Sequence, residues 1–244
     1  DPASGEYRPD WDRLRDAVGK RTRLIILNFP HNPTGANLTR ADLDLLAAIV
    51  RDTGIYLLSD EVYEHIVFDG AEHQSLLRHD ELWQRSFVVS SFGKTYHATG
   101  WKVGYCVAPP AMTAEFRKVH QFNCFAVITP IQHALADYMR ETPQHYDELP
   151  AFYQEKRDRF CSLIKDSRFT FRPAQGTFFQ LLDYSQITRE DDVSYAKRLT
   201  REIGVASIPV SVFCEAPPGD FKLRFCFAKD DAMLEKAAEK LCNL

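Results

Sequence analysis

Short apolar runs alternate with a helical segment in the first part of the chain, and this alternation limits the possible folds most strongly. Leu24 to Asn28 is a β-rich run that ends in a dense cluster of turn formers, and Ile55 to Ser59 is a second such run. Between them, Thr39 begins a capping-box pattern, and apolar residues recur at helical spacing until Gly54. A strand, a helix and a strand in succession favour parallel pairing with a crossover, so the pattern predicts an α/β sheet.

The predicted sheet continues with two more strands. Phe87 to Ser91 is a third apolar run, and Trp101 to Ala108 alternates apolar with polar residues as a fourth. The later predicted elements are helices over 111–121, 130–140 and about 147–166, short runs over 169–171 and 178–183, a helix near 192–203, runs over 205–210 and 221–228, and a final helix. We therefore expect a large domain over 1–140 and a smaller α+β domain over 141–244.

Composition and charge narrow the class of partner. The 244 residues are 45% apolar and 26% charged, which is typical of a soluble globular protein. The net charge of −4 provides no basic field, so we expect no nucleic-acid partner. No apolar run approaches the roughly 18 residues of a membrane helix. The six cysteines lack paired or metal-finger spacing, which predicts free thiols, no metal and a cytoplasmic location.

Polar side chains follow each of the first three apolar runs. The first run leads to Asn32, the second to Asp60 and Tyr63, and the third to Ser91 and Lys94. Ligands of open parallel sheets bind beyond the carboxyl ends of the strands, so these side chains are candidates for a site. Taken singly, each has a structural explanation as a turn, a helix start or a surface lysine. Their joint order indicates a site.

The joint order of these groups indicates Schiff-base chemistry. A lysine at the end of a buried strand is desolvated, which lowers its pKa and frees the amine to attack carbonyls, so Lys94 is the candidate nucleophile. A carboxylate that faces a pyridine nitrogen suits pyridoxal 5′-phosphate, and Asp60 is the candidate for this role. Asn32 and Tyr63 can donate to the phenolate oxygen of the ring.

The remaining polar candidates suit a phosphate and a carboxylate. Ser91 and Lys102 lie on either side of the candidate lysine and can bind the phosphate of the cofactor. In the run over 221–228, apolar residues take one face and leave Arg224 on the other. An arginine fork suits a carboxylate, while an exposed strand arginine is the open alternative.

Read together, these motifs resemble a known family. They are Asn-Pro-Thr-Gly at 32–35, Ser-Asp-Glu-Val-Tyr at 59–63, Ser-Ser-Phe-Gly-Lys-Thr at 90–95, Gly-Trp-Lys-Val-Gly-Tyr at 100–105 and Leu-Arg-Phe at 223–225. The set is similar to the fold-type I, class I/II aminotransferases, and nearest to the branch with methionine and kynurenine aminotransferases. The resemblance implies a three-layer α/β/α large domain with a mostly parallel sheet, a smaller C-terminal α+β domain and a homodimer.

The resemblance also implies a role for each candidate residue. These roles are the Schiff-base lysine for Lys94, the pyridine-nitrogen partner for Asp60, contact with the ring hydroxyl for Asn32 and Tyr63, phosphate binding for Ser91 and Lys102, and substrate binding for Arg224, at the α-carboxylate, and for Asn32. Many family members have arginine where this chain has Lys102. His97 is expected near the pocket without an assigned role. Family members carry a further N-terminal segment with a phosphate loop at a helix start, so we expect the large domain of a chain that begins at Asp1 to be incomplete.

The resemblance implies amino-group transfer as the activity. The expected reaction moves an amino group from an L-amino acid, of methionine, aromatic or kynurenine-like type, to a 2-oxo acid by a ping-pong mechanism. One alternative is a pyridoxal-phosphate β-lyase that cleaves a carbon–sulfur bond. A second is an inactive fragment or a non-catalytic ligand-binding domain.

Overall fold

The computed structural model describes residues 6–215 and 219–244. Asp1, where the predicted large domain begins, lies outside the described residues. The helices are α1 Trp11–Ala17, α2 Arg40–Val50, α3 Asp80–Trp83, α4 Phe92–Thr95, α5 Pro110–Asn123, α6 Thr129–Glu141, α7 His145–Ile164, α8 Asp192–Arg198 and α9 Asp231–Cys242. The strands are β1 Leu24–Asn28, β2 Tyr56–Asp60, β3 Ser86–Ser91, β4 Gly104–Val107, β5 Phe179–Asp183, β6 Ile208–Pro209 and β7 Lys222–Cys226. Short 3₁₀ turns lie at Leu76–Arg78, Thr99–Trp101 and Ser211–Phe213, and a π turn at Leu199–Ile203 extends α8.

The first sheet has the order β1-β2-β3-β4 in the described chain, and its first three strands are parallel. The crossover from β1 to β2 runs through α2, whose first turn is closed by the predicted capping box of Thr39 and Asp42. Asn28 pairs with Asp60, and Asp60 pairs with Val89. The carboxyl ends of β1, β2 and β3 therefore meet at one edge. The α/β class with a mostly parallel sheet is confirmed.

The fourth predicted strand begins later than the sequence pattern indicates. Trp101 lies in a 3₁₀ turn, Lys102 has a left-handed backbone with φ of 55°, and β4 starts at Gly104, antiparallel to β3. A Cβ at Gly104 would lie 2.5 Å from the carbonyl oxygen of Ser90, so a glycine is required where the chain re-enters the sheet. The prediction over 101–108 was wrong at its start, because a period-two pattern does not distinguish a strand from the turn that precedes it.

The second sheet has the order β5-β7-β6 in the described residues, and both pairings are antiparallel. Two predicted β runs form less strand in the structure than the sequence pattern indicates. The run over 169–171 contributes a single bridge, from Thr170 to Asp183, and the run over 205–210 forms a strand only at Ile208–Pro209. Gly204 is left-handed, and a 3₁₀ turn follows Val210, so backbone geometry on both sides limits this strand.

Two clusters of buried side chains hold the fold together. The first packs one face of the parallel sheet against α1, α2 and the 76–83 segment, with Leu43, Leu46 and Leu57 fully buried. Each of these side chains contributes about 1.5–3 kcal/mol on burial. The second cluster fills the space between β5, β7, α7 and α9, and it also includes Tyr63 and Ile66 from the segment after β2. The segment that follows β2 is thereby fixed against the C-terminal elements. The division near residue 140 stays a prediction.

The opposite face of the parallel sheet is less covered by the described residues. Phe116 of α5 lies 6.3 Å from Phe87 of β3 between ring centroids, whereas Leu24, Ile26 and Tyr56 are exposed. In the part of the chain that the structure describes, no helix combines the length and the apolar character that crossing a membrane requires.

Candidate active site

The helix that carries Lys94 is a single turn placed directly after β3. Ser91 ends the strand and caps α4, where its hydroxyl oxygen accepts a hydrogen bond of 3.1 Å from the backbone N–H of Gly93. A Cβ at Gly93 would lie 3.0 Å from the Cα of Thr99, so the turn packs closely on the segment that returns to β4. Backbone packing therefore fixes where the lysine side chain starts.

The amine of Lys94 lies between two aromatic rings. Its Nζ is 5.3 Å from the ring centroid of Phe178 and 5.7 Å from that of Tyr63. The side chain is partly buried, and Nζ makes no hydrogen bond or ion pair with the described residues. Burial lowers the pKa of Lys94, the charge of Lys102 lowers it further, and Asp60 opposes both effects. The amine of Lys94 therefore becomes neutral and nucleophilic at a lower pH than that of an exposed lysine.

A carboxylate and a phenol follow β2 at the same edge of the sheet. Asp60 ends the strand, and its Oδ1 accepts a hydrogen bond of 3.2 Å from the backbone N–H of Val62. Tyr63 is buried, and this burial raises the pKa of its hydroxyl, an effect that the positive charge of Arg224 partly offsets. The hydroxyl of Tyr63 consequently stays protonated and available as a donor near neutral pH.

Arg224 reaches the site from the second sheet. Its guanidinium donates a hydrogen bond to Oδ1 of Asn32, and its central carbon lies 4.0 Å from the ring centroid of Phe179 and 5.4 Å from that of Phe213. Burial lowers the pKa of Arg224. Among the described residues it has no carboxylate partner within ion-pair distance. A partly buried cation of this kind can bind the carboxylate of a ligand.

The loop after β1 places Asn32 beside this arginine. The backbone N–H of Asn32 donates to Oδ1 of Asn28 at 2.9 Å, which returns the loop to the strand end. Gly35 has φ of +73°, and a Cβ on it would lie 2.9 Å from both Cβ of Ala174 and the carbonyl oxygen of Gly176. The loop therefore packs directly on the segment that leads into β5.

Lys102 and Ser91 lie near the strand end on the other side of the lysine. The hydroxyl of Ser91 donates at 3.4 Å to the carbonyl of Val103, the residue after Lys102. Lys102 is exposed, and its left-handed backbone ends the turn over 99–101. The residues predicted for the site thus come together from four separate stretches of the chain: Asp60, Tyr63, Lys102 and Arg224 face the amine of Lys94, Ser91 caps its helix, and Asn32 bonds to Arg224. Their individual roles stay predictions.

Four further residues, which the motifs did not indicate, line the site. They are Phe178, Phe179, Tyr153 and Cys226. Cys226 follows Arg224 by two residues on β7, and the period-two alternation over 221–228 predicts the same face for both, although no motif assigns Cys226 to the site. The phenylalanines and Tyr153 carry no such signal, because an aromatic residue in an apolar run usually indicates a core position.

Glu61, next to Asp60, has a structural explanation. Its buried carboxylate accepts hydrogen bonds from the hydroxyl of Ser59 at 2.8 Å and the backbone N–H of Leu76 at 3.1 Å, and it lies 2.8 Å from Nε2 of His73. These contacts give both oxygens of the carboxylate a partner and hold the 73–76 loop at the end of β2. The acidic pair therefore divides into one inward structural carboxylate and one that remains for the site.

The cysteines and acidic side chains show no metal centre in the described part of the chain. Every cysteine there is free, and no group of three or more His, Cys, Asp or Glu side chains is arranged to hold a metal ion.

The fold and the site define an α/β protein with a lysine beyond the ends of its parallel strands and an arginine of a second sheet close to that lysine. The model of the family Aminotransferase class I and II matches residues 2–241, so this chain belongs to that family. The resemblance drawn from the motifs is confirmed.

Individual relatives agree with the family match. The chain is 49% identical to a methionine aminotransferase of Escherichia coli over 238 residues, 98% of this chain and 62% of the relative. It is 34% identical to a kynurenine–oxoglutarate transaminase of Dictyostelium discoideum, over 99% of this chain and 61% of the relative. A crystal structure of an Escherichia coli protein with methionine aminotransferase function superposes with a TM-score of 0.94 at 49% identity, covering 97% of this chain and 63% of that one. The chain spans less than two thirds of the length of these relatives.

Proposed function

We propose that this chain carries the lysine site of a pyridoxal-phosphate-dependent aminotransferase, which transfers an amino group from an L-amino acid to a 2-oxo acid. The observation that carries the proposal is the amine of Lys94, which is partly buried and unpaired among the described residues, with Asp60 and Arg224 close by. When bound, pyridoxal 5′-phosphate supplies an aldehyde and a protonated pyridine ring that withdraws electrons from the substrate α-carbon.

The residues around Lys94 fit the chemical groups of this cofactor. Lys94 would hold the aldehyde carbon, and the carboxylate of Asp60 would keep a proton on the ring nitrogen. The amide of Asn32 and the protonated hydroxyl of Tyr63 would orient the ring hydroxyl. Ser91 and Lys102 would bind the phosphate.

Two groups of the chain would act on the substrate itself. The guanidinium of Arg224 would bind the α-carboxylate with two parallel hydrogen bonds, which fixes the orientation of the α-carbon. Once free, Nζ of Lys94 would move a proton from the substrate α-carbon to the C4′ carbon of the cofactor in the first half of the transfer, and in the opposite direction in the second half. The lowered pKa of Lys94 supports this role, since a base must be neutral at the working pH.

Aromatic walls support a bulky apolar amino acid as the donor. The rings of Phe178, Phe179 and Phe213 surround the positions of Lys94 and Arg224. We therefore propose methionine, aromatic or kynurenine-like donors, consistent with the methionine aminotransferase and the kynurenine–oxoglutarate transaminase among the relatives.

We further propose a cytoplasmic homodimer in which this chain forms a large domain over 1–140 and a small domain over 141–244. Free cysteines support the reducing compartment. Exposed apolar side chains on and after α5 support the dimer, since Val119, Phe122 and Phe125 leave a large apolar surface open to solvent.

Cofactor trapping tests the proposal. The chain is mixed with pyridoxal 5′-phosphate, reduced with borohydride, digested and analysed by mass spectrometry. We expect the reduced adduct on the peptide with Lys94, and we expect it to vanish in Lys94→Ala but to persist in Lys118→Ala, which removes an exposed lysine of α5. An adduct spread over surface lysines, with none at position 94, contradicts the proposal. Release of a 2-oxo acid only when an acceptor is supplied then distinguishes transfer from carbon–sulfur cleavage.

A further inference from the structure

Histidine and tyrosine side chains from α6 and α7 pack against the segment that follows Lys94. His145 is the first residue of α7, and its Nε2 lies 2.7 Å from the carbonyl oxygen of Thr95. Its ring stacks on that of Tyr96, with centroids 5.1 Å apart and an interplanar angle of 19°. The hydroxyl of Tyr138 in α6 lies 3.3 Å from Nδ1 of the same imidazole. The chemistry proposed above uses none of these contacts.

The two contacts of the imidazole agree with one neutral tautomer. A carbonyl oxygen can only accept, so Nε2 of His145 carries the proton and donates to Thr95. Nδ1 is then an acceptor, and the hydroxyl of Tyr138 can donate to it. The phenol therefore favours the tautomer that the carbonyl requires.

The carbonyl of Thr95 needs this donor. Since α4 is a single turn, its last carbonyls lack partners within the helix. Thr95 is buried, so water is a poor substitute, and His145 supplies the hydrogen bond at the residue next to Lys94.

A second contact from α7 reaches the same segment. The hydroxyl of Tyr153 lies 3.2 Å from Nδ1 of His97, whose left-handed backbone, with φ of 55°, turns the chain away after α4. The ring of Tyr153 also lies 5.7 Å from that of Phe178, which covers the amine of Lys94. One helix therefore holds both the backbone after the lysine and the ring against which its amine rests.

We propose that His145 is a positioning residue for Lys94: its hydrogen bond to the carbonyl of Thr95 holds α4 so that the amine stays against Phe178 and Tyr63. The inference rests on the proposed function of Lys94. The titratable groups that face the amine are Asp60, Tyr63, Lys102, Arg224 and Cys226. Those that face His145 are Tyr96, His97 and Tyr138.

Loss of the hydrogen bond between His145 and Thr95 should raise the pKa of the Lys94 amine. Burial is the largest cause that lowers the pKa of Lys94, so an amine released toward water should titrate at higher pH. A role limited to overall stability would lower the melting temperature without moving this titration.

Competitive acetylation of the chain without added cofactor, followed by mass spectrometry over a range of pH, measures the titration of Lys94 directly. His145→Asn and His145→Gln form a matched pair, because both carry an amide but the longer Gln can place its N–H₂ at the position of Nε2. We expect the titration to move to higher pH by roughly half a unit in His145→Asn and to return toward the wild-type value in His145→Gln. The control His133→Asn changes an exposed histidine of α6 and should leave the titration unchanged.

An unchanged titration in His145→Asn overturns the inference, even if that variant melts earlier. If His145→Asn does not fold, His145→Phe, which keeps the ring that stacks on Tyr96, carries the same expectation. The borohydride adduct of the wild-type chain tests the proposed function separately. A wild-type chain without the adduct, together with a titration that moves in His145→Asn, leaves the positioning contact standing and refutes the proposed function.

Discussion

The guanidinium of Arg224 on β7 donates a hydrogen bond to the side-chain carbonyl of Asn32, which follows β1. This contact joins the two sheets of the protein directly over the site. The other N–H groups of the guanidinium fork make no hydrogen bond with the described residues, and the ring of Phe179 lies beside them. One polar pair therefore fixes the position of the candidate carboxylate-binding group.

Arg224→Lys should weaken binding of the amino-acid substrate. A lysine keeps the charge but loses the planar fork, so it cannot make two parallel hydrogen bonds to a carboxylate. We expect affinity for the substrate, measured by spectral titration of the cofactor-loaded chain, to fall about 100-fold. Arg140→Lys changes an exposed arginine of α6 and should bind substrate like the wild type. Equal affinities in the two variants would assign the carboxylate to another residue.

Charge changes on either side of Lys94 should move its titration in opposite directions. Lys102 lowers the pKa of Lys94 by repulsion, so Lys102→Gln removes a cost of the charged amine and raises that pKa. Asp60 raises the pKa of Lys94, so Asp60→Asn lowers it and gives more neutral amine at a given pH. We expect shifts of roughly half a unit each way in competitive acetylation of Lys94.

The exposed residues Lys118 and Asp137 supply the controls for this pair of charge changes. Lys118→Gln and Asp137→Asn should leave the titration of Lys94 in place. Shifts of the same sign in Lys102→Gln and Asp60→Asn would mean that structural loosening, and not charge, governs the amine.

Glu61→Gln should destabilise the fold. The buried carboxylate accepts from Ser59, His73 and the backbone of Leu76, and an amide in its place turns one acceptor oxygen into a donor that faces these donors. We expect the free energy of unfolding in urea to fall by about 2–4 kcal/mol. In Glu115→Gln, at an exposed position of α5, the free energy of unfolding should fall by less than about 0.5 kcal/mol. Similar losses in both would show that the 73–76 loop does not depend on this carboxylate.

Gly35→Ala should loosen the loop that carries Asn32. The residue has φ of +73°, and the new methyl group would lie 2.9 Å from Cβ of Ala174 and from the carbonyl oxygen of Gly176. We expect the free energy of unfolding to fall by about 1–3 kcal/mol. Gly19→Ala is the matched control, because no atom lies within 4 Å of its Cβ position and its φ is ordinary. A fully stable Gly35→Ala chain would mean that the loop moves freely away from the 174–176 segment.

Local signals predicted most of the elements. β1 matches its predicted run, and α2 begins at the predicted cap, because turn residues and capping boxes act within a few positions. The start of β4 and the length of β6 were predicted wrongly, since left-handed residues at Lys102 and Gly204 interrupt patterns that remain apolar in sequence.

The candidate site divides in the same way. Asn32, Asp60 and Lys94 could be proposed because each follows a strand of a parallel sheet, and parallel strands end at one edge. The contact of Phe178 with the amine, and that of His145 with Thr95, could not be found, because they join positions far apart in the chain.

The sequence by itself determined the family, the parallel strands and the order of polar groups at their ends, because these depend on spacing along the chain. The tertiary structure decided which partners those polar groups contact. It placed Arg224 against Asn32, turned Glu61 into the core and left Asp60 to the site, and it brought α7 against the segment after Lys94. The reason is physical: hydrogen bonding and burial depend on distance in space, and the packing of the second sheet on the first sets those distances.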